Sequence, residues 1–324
     1  MEKSPKIYTI SLNSSLDRTY YLENILFGDI NRVKEVRIDP GGKGINVARM
    51  VKILGGDTVA LSFFGGQNGR LIRNLLRKEG VKFRWIETKD ETRNIFNFIG
   101  EKDKKILRIN EKGPKISKDE EASFYSLLDR IGFKKNDIVA ISGSLPQNLK
   151  VNTYKRIIEK LKGKTEFIAL DADGNLLREG IKASPFLIKP NLWELERAVG
   201  ENINSWDKFK RVCENIIKKG VSVILLTLGE KGAVLFSSDK ILYGKPPKVK
   251  LESDVGCGDA FLAGFLFKFA EKEKIEECLK FAIACGAGKA SEKGTKMPDK
   301  SKVLKLVGKV RILKNTKRLQ NLLF

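Results

Sequence analysis

The sequence predicts an α/β fold in which a mostly parallel sheet is flanked by helices on both faces. Short apolar runs of strand length alternate with segments of helical periodicity along much of the 324-residue chain. This alternation is typical of parallel sheets, because the crossover between two parallel strands is usually made by a helix. Polar or glycine-containing segments follow several predicted strands, at the edge where such folds bind ligands.

Six apolar runs are predicted to form strands of this sheet, and seven segments between or after them are predicted to form helices. The chain is expected to form one domain, residues 1–324, in which insertions at about 16–38 and 83–112 contribute short extra strands with no helix between them. The predicted strands are 7–12, 58–64, 137–141, 166–170, 186–188 and 222–227, and the predicted helices are 44–54, 68–79, 118–131, 152–162, 175–181, 192–199 and 206–219.

Composition excludes several classes of chemistry. The chain has no histidine, which excludes a Ser-His-Asp hydrolase, a histidine general base and a histidine-liganded metal site. The four cysteines form no Cys-x-x-Cys pair, so neither a zinc site nor a disulfide framework is indicated. Acid–base chemistry is therefore left to other side chains, which favours reactions such as phosphoryl transfer that depend mainly on positioning and electrostatics.

The formal net charge of +22 raises the question of nucleic-acid binding, because a basic surface releases counterions from a phosphate backbone. The basic residues are nevertheless spread along the chain among acidic ones, and no nucleic-acid motif occurs. The densest basic stretch, 300–318, is predicted to be an amphipathic surface helix. We therefore expect no nucleic-acid partner, and a basic field that attracts small anionic substrates.

No apolar run approaches the length needed to span a bilayer, and the first residues lack the apolar core of a signal peptide. The expectation is a cytoplasmic protein with no membrane partner.

The segment 253–259, Ser-Asp-Val-Gly-Cys-Gly-Asp, stands directly before the apolar run 260–267. The first N–H groups of a helix lack internal partners and carry partial positive charge, so the amides of Gly256, Cys257 and Gly258 could hold a phosphoryl group in transfer. Asp259 could then accept the proton of an attacking hydroxyl. Taken alone, the segment could equally be a glycine-containing loop that leads into a core helix.

The segment 40–49, Pro-Gly-Gly-Lys-Gly-Ile-Asn-Val-Ala-Arg, opens a predicted helix with three glycines in four residues. Glycines such as Gly41 and Gly42 let a ligand approach the backbone closely, and Asn46 lies about one helical turn further on. The segment is not a phosphate-binding P-loop, because no Gly-x-x-x-x-Gly-Lys-Ser/Thr occurs in the chain. A flexible loop that starts a helix is the alternative interpretation.

Together these two segments resemble the signatures of the PfkB-type, ribokinase-like carbohydrate kinases. Further blocks of sequence match this family in the expected order. The residues at 43–49 and 142–146 are most similar to those of the phosphosugar branch of the family, which comprises 1-phosphofructokinase, tagatose-6-phosphate kinase and the minor 6-phosphofructokinase. The further matching blocks are 9–17, 139–146, 188–194 and 226–233.

The resemblance implies a ribokinase-like fold in which the two insertions form a small β-sheet lid over the sugar, with a homodimer contact through that lid. It implies Asp259 as general base and Gly256, Cys257 and Gly258 as an anion hole. ATP and Mg²⁺ are the implied cofactors. By the same resemblance Asp17, Gly41, Gly42, Asn46 and Ser142 bind the sugar, Lys189, Asn191, Thr227, Gly229 and Gly232 bind the nucleotide, and Asn191 and Glu194 hold Mg²⁺, largely through water.

Three cations, Lys43, Arg93 and Arg108, lie where the phosphosugar branch holds the phosphate of its substrate. The resemblance thus implies transfer of the γ-phosphate of ATP to the 6-hydroxyl of fructose 1-phosphate, giving fructose 1,6-bisphosphate. Tagatose 6-phosphate or fructose 6-phosphate, phosphorylated at the 1-hydroxyl, is the alternative. A remote alternative is a non-catalytic nucleic-acid-binding or regulatory protein on a kinase fold.

Two positions depart from the family pattern. Asp254 replaces a residue that is usually threonine, which adds a negative charge beside the phosphates. The run 171–174, Asp-Ala-Asp-Gly, has an acid where relatives carry serine or threonine before the glycine.

Overall fold

The structure, a computed structural model, describes residues 5–313. Its strands are β1 (Ile7–Ser11), β2 (Ser15–Leu22), β3 (Val33–Gly41), β4 (Thr58–Gly65), β5 (Lys82–Thr88), β6 (Arg93–Gly100), β7 (Ile106–Asn110), β8 (Ile138–Ser142), β9 (Phe167–Asp171), β10 (Leu187–Ile188), β11 (Val223–Thr227), β12 (Ala233–Ser237), β13 (Ile241–Lys245) and β14 (Arg311–Leu313). Its α-helices are α1 (Lys43–Leu54), α2 (Gly66–Lys78), α3 (Lys118–Arg130), α4 (Thr153–Leu161), α5 (Gly174–Ile181), α6 (Leu192–Val199), α7 (Trp206–Lys218), α8 (Cys257–Ala270), α9 (Ile275–Ala290) and α10 (Lys300–Val307).

The large sheet has the spatial order β14-β13-β12-β11-β10-β9-β8-β1-β4-β5. Neighbours from β5 to β11 pair in parallel, whereas β12, β13 and β14 add an antiparallel edge. The predicted mostly parallel sheet is confirmed, and all six predicted strands belong to it. The seven predicted helices are also confirmed, with ends that differ by at most two residues.

Helices cover both faces of this sheet, so its strands are apolar on both sides. In β8, Val139 and Ile141 pack on the face covered by α3 to α7, and Ile138 and Ala140 pack on the opposite face, which is covered by α1, α8, α9 and α10. The parallel strands therefore end together at one edge, and the loops after them come close to each other.

A second, four-stranded sheet forms the small lid that the resemblance implies, with the order β3-β2-β6-β7. Strands β2 and β6 pair in parallel, and β3 and β7 are antiparallel edge strands. The register of β2 and β3 sets Ser15 opposite Gly41 at the root of the lid and shifts between Tyr21 and Leu22 near its tip.

The second insertion was expected to start at about residue 83, but the structure corrects this boundary. Residues Lys82–Thr88 form β5, the edge strand of the large sheet, and the lid resumes only at Arg93. The reason is that Phe83 and Trp85 pack toward α2. There Arg73 lies over the Trp85 ring and Arg77 over the Phe83 ring.

The basic stretch 300–318 was predicted to be one helix, and this prediction is wrong in its C-terminal part. Helix α10 ends at Val307, and residues Arg311–Leu313 form β14 beside β13. Gly308 is a poor helix former, and the alternating Val310 and Ile312 suit a strand. Residues 314–318 lie outside the described residues. Within 5–313, no helix is long and apolar enough to cross a membrane.

Candidate active site

The candidate active site lies where the parallel strands end. Ser142 is the last residue of β8, Asp171 is the last residue of β9, and Lys189 directly follows β10. Ser142 and Asp171 are also partners in the β8–β9 register. Helix α8 brings Asp259 to this edge, and α1 brings Lys43 and Asn46.

Asp259 lies in the first turn of α8 and is buried. Its Oδ2 accepts a hydrogen bond of 2.8 Å from Nδ2 of Asn46 on α1. Burial, and next the negative charge of Asp171, raise the pKa of Asp259 to about 6, against the opposing effects of Lys43 and the Asn46 hydrogen bond. The carboxylate is thus ionised at neutral pH and more basic than a free one, as a general base must be.

Residues 253–258, which we call the anion loop, lead into α8 with a left-handed conformation at Gly256 (φ 79°), a conformation that favours glycine. The amide of Cys257 donates a long 3.4 Å bond to the Asp254 carbonyl inside the loop. Because Gly258 lies in the first turn of α8, its amide faces out of the helix end. Burial raises the pKa of the Cys257 thiol to about 11, so the thiol is uncharged at neutral pH.

A buried acid, Asp171, lies between two lysines that were assigned to different ligands. Its Oδ1 is 3.1 Å from Nζ of Lys43 and 3.3 Å from Nζ of Lys189. Although burial opposes ionisation, Lys189 and Lys43 hold the pKa of Asp171 below its usual value. Lys189 also packs beside Gly258, since a Cβ there would lie 3.3 Å from its Nζ. The cluster therefore places two ammonium groups next to the anion loop.

Lys43 makes a second ion pair, at 3.3 Å, with Oε1 of Glu194. Burial acts to lower the pKa of Lys43, but Asp171, Glu194 and Asp259 together raise it above its ordinary value. This places Lys43 among the acids at the strand ends rather than under the lid, where the resemblance put it.

Asn191 and Glu194 form a capping box at the start of α6. Oδ1 of Asn191 accepts from the Glu194 amide (2.8 Å), and Oε2 of Glu194 accepts from the Asn191 amide (2.9 Å). One oxygen of Glu194 remains directed toward Lys43. Oδ2 of Asp171 is buried and has no hydrogen-bond partner among residues 5–313.

Mg²⁺ in phosphate sites takes one or two carboxylates together with phosphate oxygens and water. The carboxylate oxygens on offer are Oδ2 of Asp171, which has no partner among residues 5–313, and Oε1 of Glu194, which is paired with Lys43. Asp171 and Glu194 therefore fit the ion by donor type, whereas the Asn191 side chain is used by the helix cap. Within the described residues, no group of three or more His, Cys, Asp or Glu side chains could enclose a metal. A metal here would thus depend on ligands from the nucleotide.

The root of the lid forms the other side of the site. Asp17 on β2 is buried, and its Oδ1 accepts a 2.6 Å hydrogen bond from the Ser15 hydroxyl. A Cβ at Gly41 would overlap the Asp17 carboxylate, so only glycine allows this close approach. Gly42 has φ 105°, and a Cβ there would lie 2.9 Å from Ser11 Oγ. Burial is the main cause that raises the pKa of Asp17 to about 7.

Two further predicted substrate residues carry buried polar atoms without a partner within residues 5–313. They are Oδ1 of Asn46 and Oγ of Ser142. Since buried polar atoms are normally hydrogen-bonded, these two atoms are candidates for a hydrogen bond with a ligand.

The three cations that were expected to hold the substrate phosphate have three different sets of partners. Arg93 on β6 donates through Nη2 to the Asn13 carbonyl (2.9 Å) and lies close enough to Asp17 to lower the pKa of that carboxyl, although burial dominates it. Arg108 on β7 pairs with Asp254 of the anion loop. Arg93 therefore lies near Asp17 at the root of the lid, Lys43 lies among the acids at the strand ends, and Arg108 joins the lid to the anion loop.

The other three predicted nucleotide residues, Thr227, Gly229 and Gly232, lie outside the cluster of Asp171, Lys43 and Lys189. Thr227 ends β11 and forms an isolated bridge with Asn191. Gly229 begins a short 3₁₀ turn, and a Cβ at this position would have no atom within 4 Å. A Cβ at Gly232 would overlap the Gly244 carbonyl, so strand packing requires this glycine irrespective of any ligand.

Asp171 is the site residue that sequence reasoning missed. The available signal was its position, directly after the predicted strand 166–170, where ligand-binding acids occur in parallel sheets. In the run 171–174, attention fell on Asp173, the acid before the glycine, because it departs from the family pattern. Asp173 forms an outward ion pair with Arg197.

Comparison with known proteins identifies the family. Residues 7–302 match the pfkB family carbohydrate kinases. The chain is 32% identical over 285 residues to the 1-phosphofructokinase of Bacillus subtilis, covering 88% of this chain and 92% of that protein. It is 32% identical over 292 residues to a tagatose-6-phosphate kinase of Staphylococcus epidermidis, covering 89% and 93%. Phosphofructokinase-2 of Escherichia coli superposes with a TM-score of 0.89 at 28% identity, covering 94% and 99%. The chain therefore belongs to the pfkB family of carbohydrate kinases, phosphotransferases that act on a hydroxyl acceptor.

Proposed function

We propose that the protein transfers the γ-phosphate of ATP to the 6-hydroxyl of fructose 1-phosphate and forms fructose 1,6-bisphosphate and ADP. The observation that carries this proposal is the buried Asp259 carboxylate, which is held by Asn46 beside the anion loop. Lys43 and Lys189 complete a site suited to a migrating phosphoryl group.

In the proposed reaction the sugar hydroxyl gives its proton to Asp259 while its oxygen bonds to the γ-phosphorus. The bond between that phosphorus and the β–γ bridging oxygen breaks, and the electron pair leaves with ADP. Asn46 holds the Asp259 carboxylate in place, and its free Oδ1 is available to the sugar. Asp17 accepts hydrogen bonds from sugar hydroxyls at the lid root.

The amide of Gly258 and the ammonium groups of Lys43 and Lys189 stabilise the negative charge on the migrating group. Asp171 and Glu194 would hold Mg²⁺, which neutralises charge on the β- and γ-phosphates when bound. Thr227 and Gly229, next to Asn191, line the nucleotide side of the cleft.

The choice of a phosphorylated sugar rests on Arg93 and on the named relatives. Arg93 lies close enough to Asp17 to lower the pKa of that carboxyl. Its Nε and Nη2 donate to the Asn13 carbonyl and its Nη1 to the Glu111 carbonyl, which leaves one N–H on each Nη for a phosphate. Relatives that are 31 or 32% identical are named for fructose 1-phosphate and tagatose 6-phosphate chemistry. Lys43 lies too close to Asp171 and Glu194 to support the sugar phosphate, so we assign it to the transferred group.

A substrate panel tests this proposal. ADP release is measured with fructose 1-phosphate, fructose 6-phosphate, tagatose 6-phosphate, fructose and ribose. We expect the highest kcat/KM with fructose 1-phosphate. Arg93→Met should raise KM for it by about tenfold or more, because a charge-assisted contact to phosphate is lost, while KM for ATP stays unchanged.

The matched control is Arg18→Met, an arginine of the same sheet that donates to Asn94 instead of facing the site. A highest kcat/KM for fructose or ribose would show that the assignment of Arg93 is wrong. A highest kcat/KM for either 6-phosphate would move the acceptor to the 1-hydroxyl while retaining the catalytic residues.

We also propose that the lid mediates a homodimer. Its edge strands and tip expose several large apolar side chains, including Phe27 at 76% and Ile30 at 75% exposure. Large side chains of this kind gathered on one small sheet mark an association surface. The others are Leu26, Val33, Val36, Ile38, Ile106 and Ile109.

Sedimentation velocity is expected to show a dimer for the wild type and a shift toward monomer for the double variant Phe27→Glu/Ile30→Glu. Leu251→Glu, an equally exposed apolar position outside the lid, should leave the dimer intact. A monomeric wild type across micromolar concentrations would refute the contact.

A further inference from the structure

Lys289 is a fully buried lysine, 0% exposed, that the chemistry described above does not use. It lies in the last turn of α9, and its Nζ donates a 2.8 Å hydrogen bond to the Gly294 carbonyl. Among residues 5–313 this is its one hydrogen bond, and no carboxylate lies within ion-pair distance. Burying an ammonium group with so few partners costs free energy, so the fold carries this charge at the expense of stability.

The side chain of Lys289 lies directly behind the anion loop. A Cβ at Gly256 would be 3.6 Å from Cε of Lys289. The loop is also tied to the end of α9, because the amides of Glu252 and Ser253 donate to the Ala290 carbonyl at 2.8 and 3.2 Å. The last turn of α9 therefore supports the segment whose amides face the transferred group.

The charge of Lys289 acts in the same direction as the positive end of α8. It acts to lower the pKa of the Cys257 thiol, although burial outweighs it there. Burial lowers the pKa of Lys289 itself, whereas the nearby Glu292, Asp259 and Asp39 favour its charged form. A fixed positive charge in a buried position acts strongly on negative charge that develops nearby. Lys289 is thus placed to add to the potential of the anion loop without contacting a substrate.

We propose that Lys289 is a positioning residue whose ammonium group serves as a built-in cation behind the anion loop. The side chain joins the loop to the turn at Gly294 and keeps the amides of the loop directed at the transferred phosphoryl group. The inference rests on the role of the anion loop in the proposed function. The alternative is a purely structural role, in which Lys289 only offsets the negative C-terminal end of α9.

Chemical rescue separates the two roles. Lys289→Ala leaves a cavity beside the Gly294 carbonyl that a free ammonium or potassium ion can enter, whereas Lys289→Met fills the space without charge. Both variants are assayed in tetramethylammonium chloride with the best sugar of the panel. We expect kcat to fall by about tenfold to a hundredfold in both, with KM for the sugar nearly unchanged.

Addition of ammonium or potassium chloride should then restore the kcat of Lys289→Ala by about fivefold or more, because the charge returns to the vacated position. The same salts should not change the wild type or Lys289→Met. Lys268→Ala, at the far end of α8 and paired with Glu271, is the control for losing a lysine and should keep its kcat with or without either salt.

Three results would each overturn the inference. The first is a wild-type kcat in Lys289→Ala. The second is a loss of kcat in Lys289→Ala that neither ammonium nor potassium relieves, and the third is a severalfold activation of the wild type by potassium. If Lys289→Ala folds poorly, two measurements remain decisive: the response of the wild type to potassium, and the kcat of Lys289→Met, because a wild-type kcat in that variant would also overturn the inference. Failure of the proposed function is recognised separately, by an Asp259→Asn variant that keeps its turnover.

Discussion

Replacing Asp259 with asparagine is expected to lower kcat by about two powers of ten or more, because the general base is lost while the shape of the site is kept. The Asn46 side chain can reorient and still hydrogen-bond to the new amide, so the fold should tolerate the change. The KM for the sugar should change little, since binding depends on Asp17 and Arg93. Single-turnover measurement of ADP formation checks the chemical step itself.

The control for this variant is Asp129→Asn, because Asp129 is an exposed acid that pairs with Lys160 and Lys164 far from the strand ends. Its kcat should equal that of the wild type. Turnover within about threefold of wild type in Asp259→Asn would remove the general base from the mechanism.

The raised pKa values of two site carboxylates predict how kcat/KM depends on pH. Asp259, with a pKa of about 6, and Asp17, with a pKa of about 7, are both raised by burial. Both must be ionised to act, so kcat/KM should fall as the pH decreases through 7 and 6, more steeply than a single ionisation would give. Asp17→Asn should remove the upper of the two ionisations and leave the lower one. A kcat/KM that stays constant down to pH 5 would contradict these assignments.

Replacing Asp171 with asparagine is expected to have the second large effect, on both activity and stability. The carboxylate separates the ammonium groups of Lys43 and Lys189, and its loss leaves the buried Lys189 without a counter-ion. Breaking such a pair costs about 3 kcal/mol of unfolding free energy, which urea denaturation measures. Loss of the oxygen donor should also raise the Mg²⁺ concentration needed for half-maximal activity and lower kcat by about a hundredfold.

Asp173→Asn is a matched control, two residues further along the same segment. Asp173 forms an outward ion pair with Arg197, and exposed pairs contribute little to stability. Its unfolding free energy and Mg²⁺ requirement should stay near wild type. If Asp171→Asn behaved in the same way, the acid would have no part in the site.

The parallel part of the fold was predictable because its signals are local. Apolar runs such as β8 and β9 are buried on both faces, and helices between them carry one apolar face. The antiparallel edge was not predicted, and its last strand, β14, is only three residues long and follows a helix with the same basic composition. Residues 83–88 were included in the second lid insertion without a predicted strand, and it is the packing of β5 on α2 that places them in the large sheet.

The individual site residues were predictable where a motif fixes them, as at Asp259, Asn46 and Gly41. What the sequence did not specify was which side chains would meet. Lys43 was grouped with Arg93 by resemblance, but α1 directs it to Asp171, which is 128 positions away in the chain. Such long-range pairs depend on the order of strands in the sheet, which spacing along the chain does not encode.

The pairing of β2 with β3 has a consequence for insertions and deletions in the lid. Because side chains alternate between the two faces of a strand, shifting this pairing by one residue would turn Asp17 to the opposite face and remove Gly41 from behind its carboxylate. The irregularity between Tyr21 and Leu22 lies beyond this point, so it can absorb changes of length nearer the tip. A change of length in the outer half of the lid therefore leaves the alignment at Asp17 intact, whereas the inner half tolerates only replacements that keep the strand alignment.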